Sequence, residues 1–336
     1  MGGEEIKKFR REKRRMIMKK TWKKTAAVLT AAAAAFALYG CSGSGSADTA
    51  NKGSESAGAE KSAEEPTVVE IGVVGEYNAQ WDTVNELLAP ENIQVKLVKF
   101  TDYAAPNRAL SDGEIDLNAF QTKTYLETDM AQKGYDLTAI GDTIIAPLAI
   151  YNNKDKVSSI EDIKDGDTIA IPNDLTNGGR ALKLLEQAGL IECDPEKGFV
   201  PTKADITKYN VQIEIMEAES ATLANILPDC AAAIINGGNA YTAGLNPTTD
   251  SIFTEDVNPD TNTQVPELVN VIAARTEDKD NEVYKKIVEA YQSPEVEKTI
   301  EEAYQGAFLC AWEGAGEADA PESEGAESPE TEAEAE

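Results

Sequence analysis

Arg180 directly follows Asn177-Gly178-Gly179, read as a turn, and falls in the first turn of an expected helix. Its planar guanidinium fork suits a bidentate contact with a carboxylate, and amides exposed at such a helix start would add to the hold on an anion. Asn177 and Asn236 carry amides that can accept from an ammonium or donate to a carboxylate, while Gln121 and Thr122 supply polar contacts if their loop faces a cleft. Phe120, Tyr125 and Tyr241 could wall a side-chain slot, and aromatic contacts with a thioether are mildly favourable. Each residue also has a blander reading. Arg180 could be a surface ion pair, Asn177 a turn former beside two glycines, and the three aromatics ordinary core residues, Tyr241 above all.

Covalent and metal chemistry find little material. The 336 residues contain no His, four Cys without C-x-x-C spacing, no G-x-S-x-G, and no glycine loop of the P-loop or dinucleotide type. Ser–His and Cys–His dyads and a zinc site are therefore implausible, and the expectation is a binding protein with no catalytic residues, cofactor or metal. Apart from Cys41, the cysteines are Cys193, Cys230 and Cys310, an odd number. A Cys193–Cys230 bridge and three buried free thiols are both open.

The start of the chain gives an address. A basic stretch (Lys7 to Arg15, then Lys19, Lys20, Lys23 and Lys24) precedes an apolar run over 26–39, the order of a secretory signal, and the run is too short to span a bilayer as a helix. It ends in Leu38-Tyr39-Gly40-Cys41, which resembles a bacterial lipobox with an oversized Tyr39. That resemblance implies removal of 1–40 and acylation of Cys41, which would tether the protein to the lipid membrane. Residues 1–40 hold eleven Lys or Arg against three Glu, so the remainder, at −37, is 8 more negative than the whole chain at −29. Such a surface repels phosphate backbones and excludes nucleic acid as a partner. Residues 41–65 read as a flexible tether, and 314–336, with no basic or large apolar residue, as a disordered acidic tail.

Strand and helix signals alternate between these ends. Strands are expected at 68–74, 94–100, 168–171, 211–216, 231–235 and 269–274, with a short buried stretch at 115–120 and an apolar run over 137–151 broken by Pro147. Helices are expected at 81–88, 125–134, 181–188 closed by Gly189, and 282–291. This is α/β architecture with largely parallel sheets, whose ligand crevices lie beyond strand carboxyl ends.

Five blocks then carry a family resemblance: residues 100–103 (FTDY), 106–110 (PNRAL), 113–126 (GEIDLNAFQTKTYL), 171–180 (IPNDLTNGGR) and 233–236 (AIIN). Their order and spacing resemble the methionine-binding lipoproteins of ABC importers, from about 68 to 312. The resemblance implies a two-lobed periplasmic-binding-protein fold of type II-like design, with a ligand cleft that closes by hinge motion. Lobe 1 would comprise 66–150 and 266–313, and lobe 2 would comprise 151–265. The implied partners are L-methionine or a similar small amino acid, an ABC permease and its ATPase. A zwitterionic amino acid needs a cation for its carboxylate, acceptors for its ammonium and an apolar slot, which matches the residue types named above. Two departures bear on ligand choice: Thr122 and Thr124 stand where the family usually has His and Pro, and the loop over 75–80 also differs. A different amino acid, a methionine-containing dipeptide and, outside transport, a surface adhesin are the competing readings.

Overall fold

Runs rich in Val and Ile become strands on both sides of a cleft in the computed structural model, which describes residues 65–315. The chain first forms β1 (Thr67–Val74), β2 (Ile93–Phe100), β3 (Leu117–Thr122) and β4 (Leu137–Ile145). It crosses to a second sheet as β5 (Ala149–Asn152) and β6 (Thr168–Pro172), adds a small antiparallel pair, β7 (Ile191–Cys193) and β8 (Ile206–Tyr209), and continues as β9 (Glu214–Ala218), β10 (Ala232–Ile235) and β11 (Ser251–Thr254). It then returns to the first sheet as β12 (Val269–Arg275) and β13 (Leu309–Cys310). The sheet orders are β13-β4-β12-β3-β1-β2 and β11-β5-β10-β6-β9. The expected export signal, the Cys41 acylation site, the tether up to residue 64 and the tail from residue 316 lie outside the described residues.

Both sheets are mixed, a correction to the largely parallel expectation. β1 runs parallel to β2 and β3, and β6 runs parallel to β9 and β10. β12 is antiparallel to β3 and β4, while β5 is antiparallel to β10 and β11. The reason is topological. A strand entering a sheet straight from the other lobe starts at the cleft, where the parallel strands end, and so must run against them.

Helices cover the sheets with one apolar face each. α1 (Ala79–Leu88) buries Trp81, Val84 and Leu88 at helical spacing. α2 (Ala105–Ser111) and α3 (Lys123–Lys133) pack on the other face of the first sheet through Leu110 and Leu126. α4 (Leu175–Gln187) and α5 (Gly237–Thr242) belong to the second lobe. α6 (Glu282–Tyr291) and α7 (Pro294–Tyr304) return to the first, burying Tyr284, Ile287 and Tyr291, and Val296, Ile300 and Tyr304, against β1 and α1. In the second sheet the period of two is plain. Ile169 and Ile171 face one core and Ala170 the other.

Of the helices named above, α2, α5 and α7 were not foreseen. α7 carries ordinary start signals, Ser293 as N-cap accepting from Val296 N and Pro294 in the first turn. α2 likewise has Pro106 in its first turn. α4 begins at Leu175, well before the expected start near Ala181, so Asn177-Gly178-Gly179 is helical and not a turn. Asp174 caps it, accepting from Asn177 N at 2.8 Å. The glycines serve close approach: a Cβ on Gly179 would lie 2.6 Å from Val200 Cα, and one on Gly178 would lie 2.9 Å from Pro172 O. Cys193, Cys230 and Cys310 are free thiols, so the bridge is not formed.

Because the atoms facing Gly179 are backbone and cannot step aside, Gly179→Ala should destabilise the fold by about 1–3 kcal/mol. This outweighs the roughly 1 kcal/mol that Ala gains over Gly in helix propensity. A urea midpoint equal to or above the parent's would refute the packing explanation.

Candidate functional site

The parallel strands of both sheets point their carboxyl ends at one pocket. Beyond β1 lies Tyr77, beyond β2 Tyr103, at the end of β3 Phe120, Gln121 and Thr122, and in the first turn of α3 Tyr125. From the second lobe come Asn177 and Arg180 after β6, and Asn236, Gly237 and Gly238 after β10. Ala146 on the outgoing crossing and Asn270 at the start of β12 complete the wall.

Seven of the eight expected site residues line this pocket: Arg180, Asn177, Asn236, Phe120, Tyr125, Gln121 and Thr122. Tyr241 does not. Its ring packs on Tyr304 and Phe308, with centroids 5.1 and 5.7 Å away, at the edge of the first lobe's core. Core packing is what its apolar ring does here.

Arg180 is buried and already half engaged. Its Nε donates to Glu255 Oε1 at 2.7 Å, and its Nη2 donates to Glu255 Oε2 and, at 3.1 Å, to Ala146 O. This corrects both readings of the sequence: the ion pair is real but 6% exposed on each side, and the bidentate edge faces Glu255 and not an open site. Nη1 makes no hydrogen bond to a described residue, which leaves one two-proton nitrogen for an anion in the pocket.

The amides are oriented by contacts of their own. Asn177 Nδ2 donates to both oxygens of Asp174, each at 3.1 Å, and Asn236 Nδ2 donates to Asn177 Oδ1 at 2.8 Å. Asn236 Oδ1 is fully buried and has no partner among the described residues. Gln121 lines the pocket, and its side-chain amide is held by neighbours. Its Oε1 accepts from Asn107 Nδ2 at 2.7 Å, and its Nε2 donates to Asn107 Oδ1 and Asn118 Oδ1 at 2.7 and 2.9 Å. Thr122 Oγ1 caps α3, accepting from Tyr125 N at 3.1 Å, and its hydroxyl proton remains available.

Three rings form the aromatic wall. Phe120 lies 6.0 Å from Tyr103 and 5.9 Å from Tyr125, centroid to centroid. Tyr125 Oη donates to Tyr103 O at 3.0 Å, and Asn239 Nδ2 reaches across from the second lobe to Tyr103 Oη at 3.1 Å. Desolvation raises the phenols: Tyr77 to about 12, Tyr103 well above its ordinary value, and Tyr125 also upward. Gly238 lets α5 come against Tyr77, since a Cβ there would lie 2.4 Å from the ring.

Sequence reasoning missed Tyr77, Tyr103, Asn270 and Glu255. Tyr103 stood in a recognised block and Tyr77 in a loop already marked as unusual. Asn270, a polar residue in an apolar strand and 7% exposed, carries a side-chain amide with no hydrogen bond to a described residue. That break in the apolar run was its signal. Glu255 had none.

The family model described as NlpA lipoprotein matches residues 69–312. The chain is 41% identical over 246 residues to Outer membrane lipoprotein 3 of Mannheimia haemolytica, covering 73% of this chain and 90% of that one. It is 38% identical over 260 residues to the D-methionine-binding lipoprotein MetQ of Salmonella typhimurium, covering 76% and 93%. Among solved structures it resembles a nutrient binding protein from Burkholderia cenocepacia bound to methionine, with TM-score 0.68, 36% identity, and coverage of 73% of this chain and 100% of that one.

Removing one partner of a buried ion pair strands the other, so Glu255→Leu or Arg180→Met alone should each lower stability by about 3–5 kcal/mol. The double variant Arg180→Met/Glu255→Leu should cost less than either single change. Denaturant midpoints of the four proteins at pH 7 check this, and additive losses would show that the two charges are not coupled.

Proposed function

The chain belongs to the NlpA lipoprotein family, and on that premise we propose that it is the substrate-binding lipoprotein of an ABC importer and that its ligand is methionine. It is a binding protein and not an enzyme. The observation that carries the reading is the pairing, on two residues that line one pocket, of a guanidinium nitrogen and a carbonyl oxygen that have no partner among the described residues: Arg180 Nη1 and Asn236 Oδ1. A carboxylate takes the first and an α-ammonium the second. Thr122 Oγ and the Asn270 amide stand ready as further polar contacts, and the wall of Phe120, Tyr103 and Tyr125 receives a thioether. Arg180 and Glu255 together carry no net charge, which suits a zwitterion better than an anion or a cation.

The remaining steps follow from the two-lobed design. The first lobe comprises β1–β4, β12 and β13, and the second comprises β5–β11; ligand bridging the two favours the closed arrangement. Acylated Cys41 holds the protein at the outer face of the membrane, and the closed form hands methionine to the permease, which its ATPase drives.

Calorimetry should show saturable binding of methionine, with a ligand-dependent rise in Tm. No heat with methionine but saturable binding of an unrelated amino acid would move the assignment. Arg180→Ala is a poor probe because it also strands Glu255. Arg180→Lys keeps the charge but loses the fork, and should weaken methionine binding by about 2–5 kcal/mol.

Affinity should be nearly flat from pH 6 to 8. There is no imidazole, and the pocket phenols are raised above 10.0, to about 12 for Tyr77. Their neutral forms, and the contacts those make, persist below pH 10 and are lost only as pH climbs toward the raised values. Dissociation constants that change steeply within that window would point to a titrating group in contact with the ligand.

A further inference from the structure

Asp174 stands one hydrogen bond behind the pocket wall. Its carboxylate accepts from Asn177 N at 2.8 Å, and both of its oxygens accept from Asn177 Nδ2 at 3.1 Å. An ionised carboxylate offers acceptors only, so it holds the nitrogen end of the Asn177 side chain toward itself and turns Oδ1 away. That oxygen accepts from Asn236 Nδ2 at 2.8 Å. The second amide is thereby set as well, with its nitrogen on Asn177 and its oxygen, buried and without a partner among the described residues, on a residue that lines the pocket. An amide can exchange its two ends at little steric cost, and nothing in Asn177 or Asn236 alone prefers one sense. The fixed sign in the chain of contacts is the carboxylate.

We propose that Asp174 is a positioning residue that sets the hydrogen-bond polarity of the pocket through Asn177 and Asn236, so that a ligand with a donor at the α-position is chosen over an isostere with an acceptor there. This rests on the reading of the pocket as an amino-acid site. Without the carboxylate, the two amides can invert together, Asn177 presenting Nδ2 to Asn236 Oδ1 and Asn236 presenting Nδ2 to the ligand. The pocket would then meet an ammonium with a donor. Capping of α4 is a separate duty of Asp174, and Asn performs it about as well.

The test uses the full chain and two ligands, methionine and 4-methylthio-2-oxobutanoate, which has a carbonyl oxygen where methionine has its ammonium. In Asp174→Asn the preference for methionine over the 2-oxo acid should fall by at least about tenfold, with Tm close to the parent's. Adding Asn236→Asp to that variant restores an oxygen facing the ligand and should recover the preference. Asp174→Ser, which retains a capping oxygen without the carboxylate, should behave like Asp174→Asn and stands in for it if that variant does not fold. An unchanged preference in either variant, even with both affinities reduced, overturns the proposal and leaves Asp174 a helix cap. A parent protein that binds methionine but favours the 2-oxo acid also overturns it. A parent that binds neither ligand overturns the amino-acid reading itself, and the positioning role falls with it.

Discussion

The ion pair between Arg180 and Glu255 lies where the chain passes between its two sheets, and the geometry of the pocket depends on it. Both side chains are 6% exposed, and neither could be buried alone. Arg180 reaches from α4 to the carbonyl of Ala146 on the outgoing crossing. Glu255 lies on the returning one, where its amide donates to Leu148 O and its carboxylate accepts from Leu148 N. One pair of charges therefore joins the start of a second-lobe helix to both crossings. It also fixes Arg180 before any ligand arrives, so the order of that long side chain is not a cost that binding must meet.

Amides do most of the remaining positioning, in two clusters of the same design. Beneath β3, Asn107, Asn118 and Gln121 close a buried network anchored on the carboxylate of Asp129, itself paired with Lys133. Each amide oxygen and nitrogen named there has a partner, and a satisfied buried network is rigid, which holds Phe120 and Thr122 between its members and α3. In the second lobe, Asp174, Asn177 and Asn236 repeat the pattern, a carboxylate first and amides in series behind it. The difference is at the end. The first chain closes on itself, whereas the second stops at an oxygen with no partner among the described residues, on a residue that lines the pocket.

What the sequence made legible was local or carried by compact blocks. β1, β2, β6, β10 and β12 announced themselves by β-branched runs, α1 and α6 by helical spacing, and the break between β4 and β5 by Pro147. Arg180, Asn177, Asn236 and the rings of Phe120 and Tyr125 were legible because each had a chemistry suited to one part of a small ligand. The rest depended on contacts between distant residues. Asn177-Gly178-Gly179 looks like a turn until Phe199 and Val200 are seen to lie against it. Tyr241 has the composition of a pocket wall and of a core equally, and only Tyr304 and Phe308 decide. Glu255 is 75 residues from Arg180 in the chain, with no motif around it. The mixed sheets required knowing that β5 and β12 enter from the opposite lobe, a fact of topology and not of composition.

Thr122 shows how such a site can do without imidazole. Its oxygen accepts from Tyr125 N and so fixes the start of α3, while its proton can be given to a ligand. In that use the hydroxyl is a donor of constant sign, as is Arg180 Nη1. Asn236 Oδ1 is an acceptor whose sign is imposed from behind. The polar half of the pocket is thus built from groups whose donor or acceptor character does not change near neutrality, two donors toward the carboxylate side and an acceptor for the ammonium in the proposed complex. The phenols that complete the wall are kept neutral by the same burial that makes them apolar surfaces. Recognition of the amino-acid head group is then a matter of fixed hydrogen-bond directions, and discrimination among side chains falls to the shape left between Phe120, Tyr103 and Tyr125.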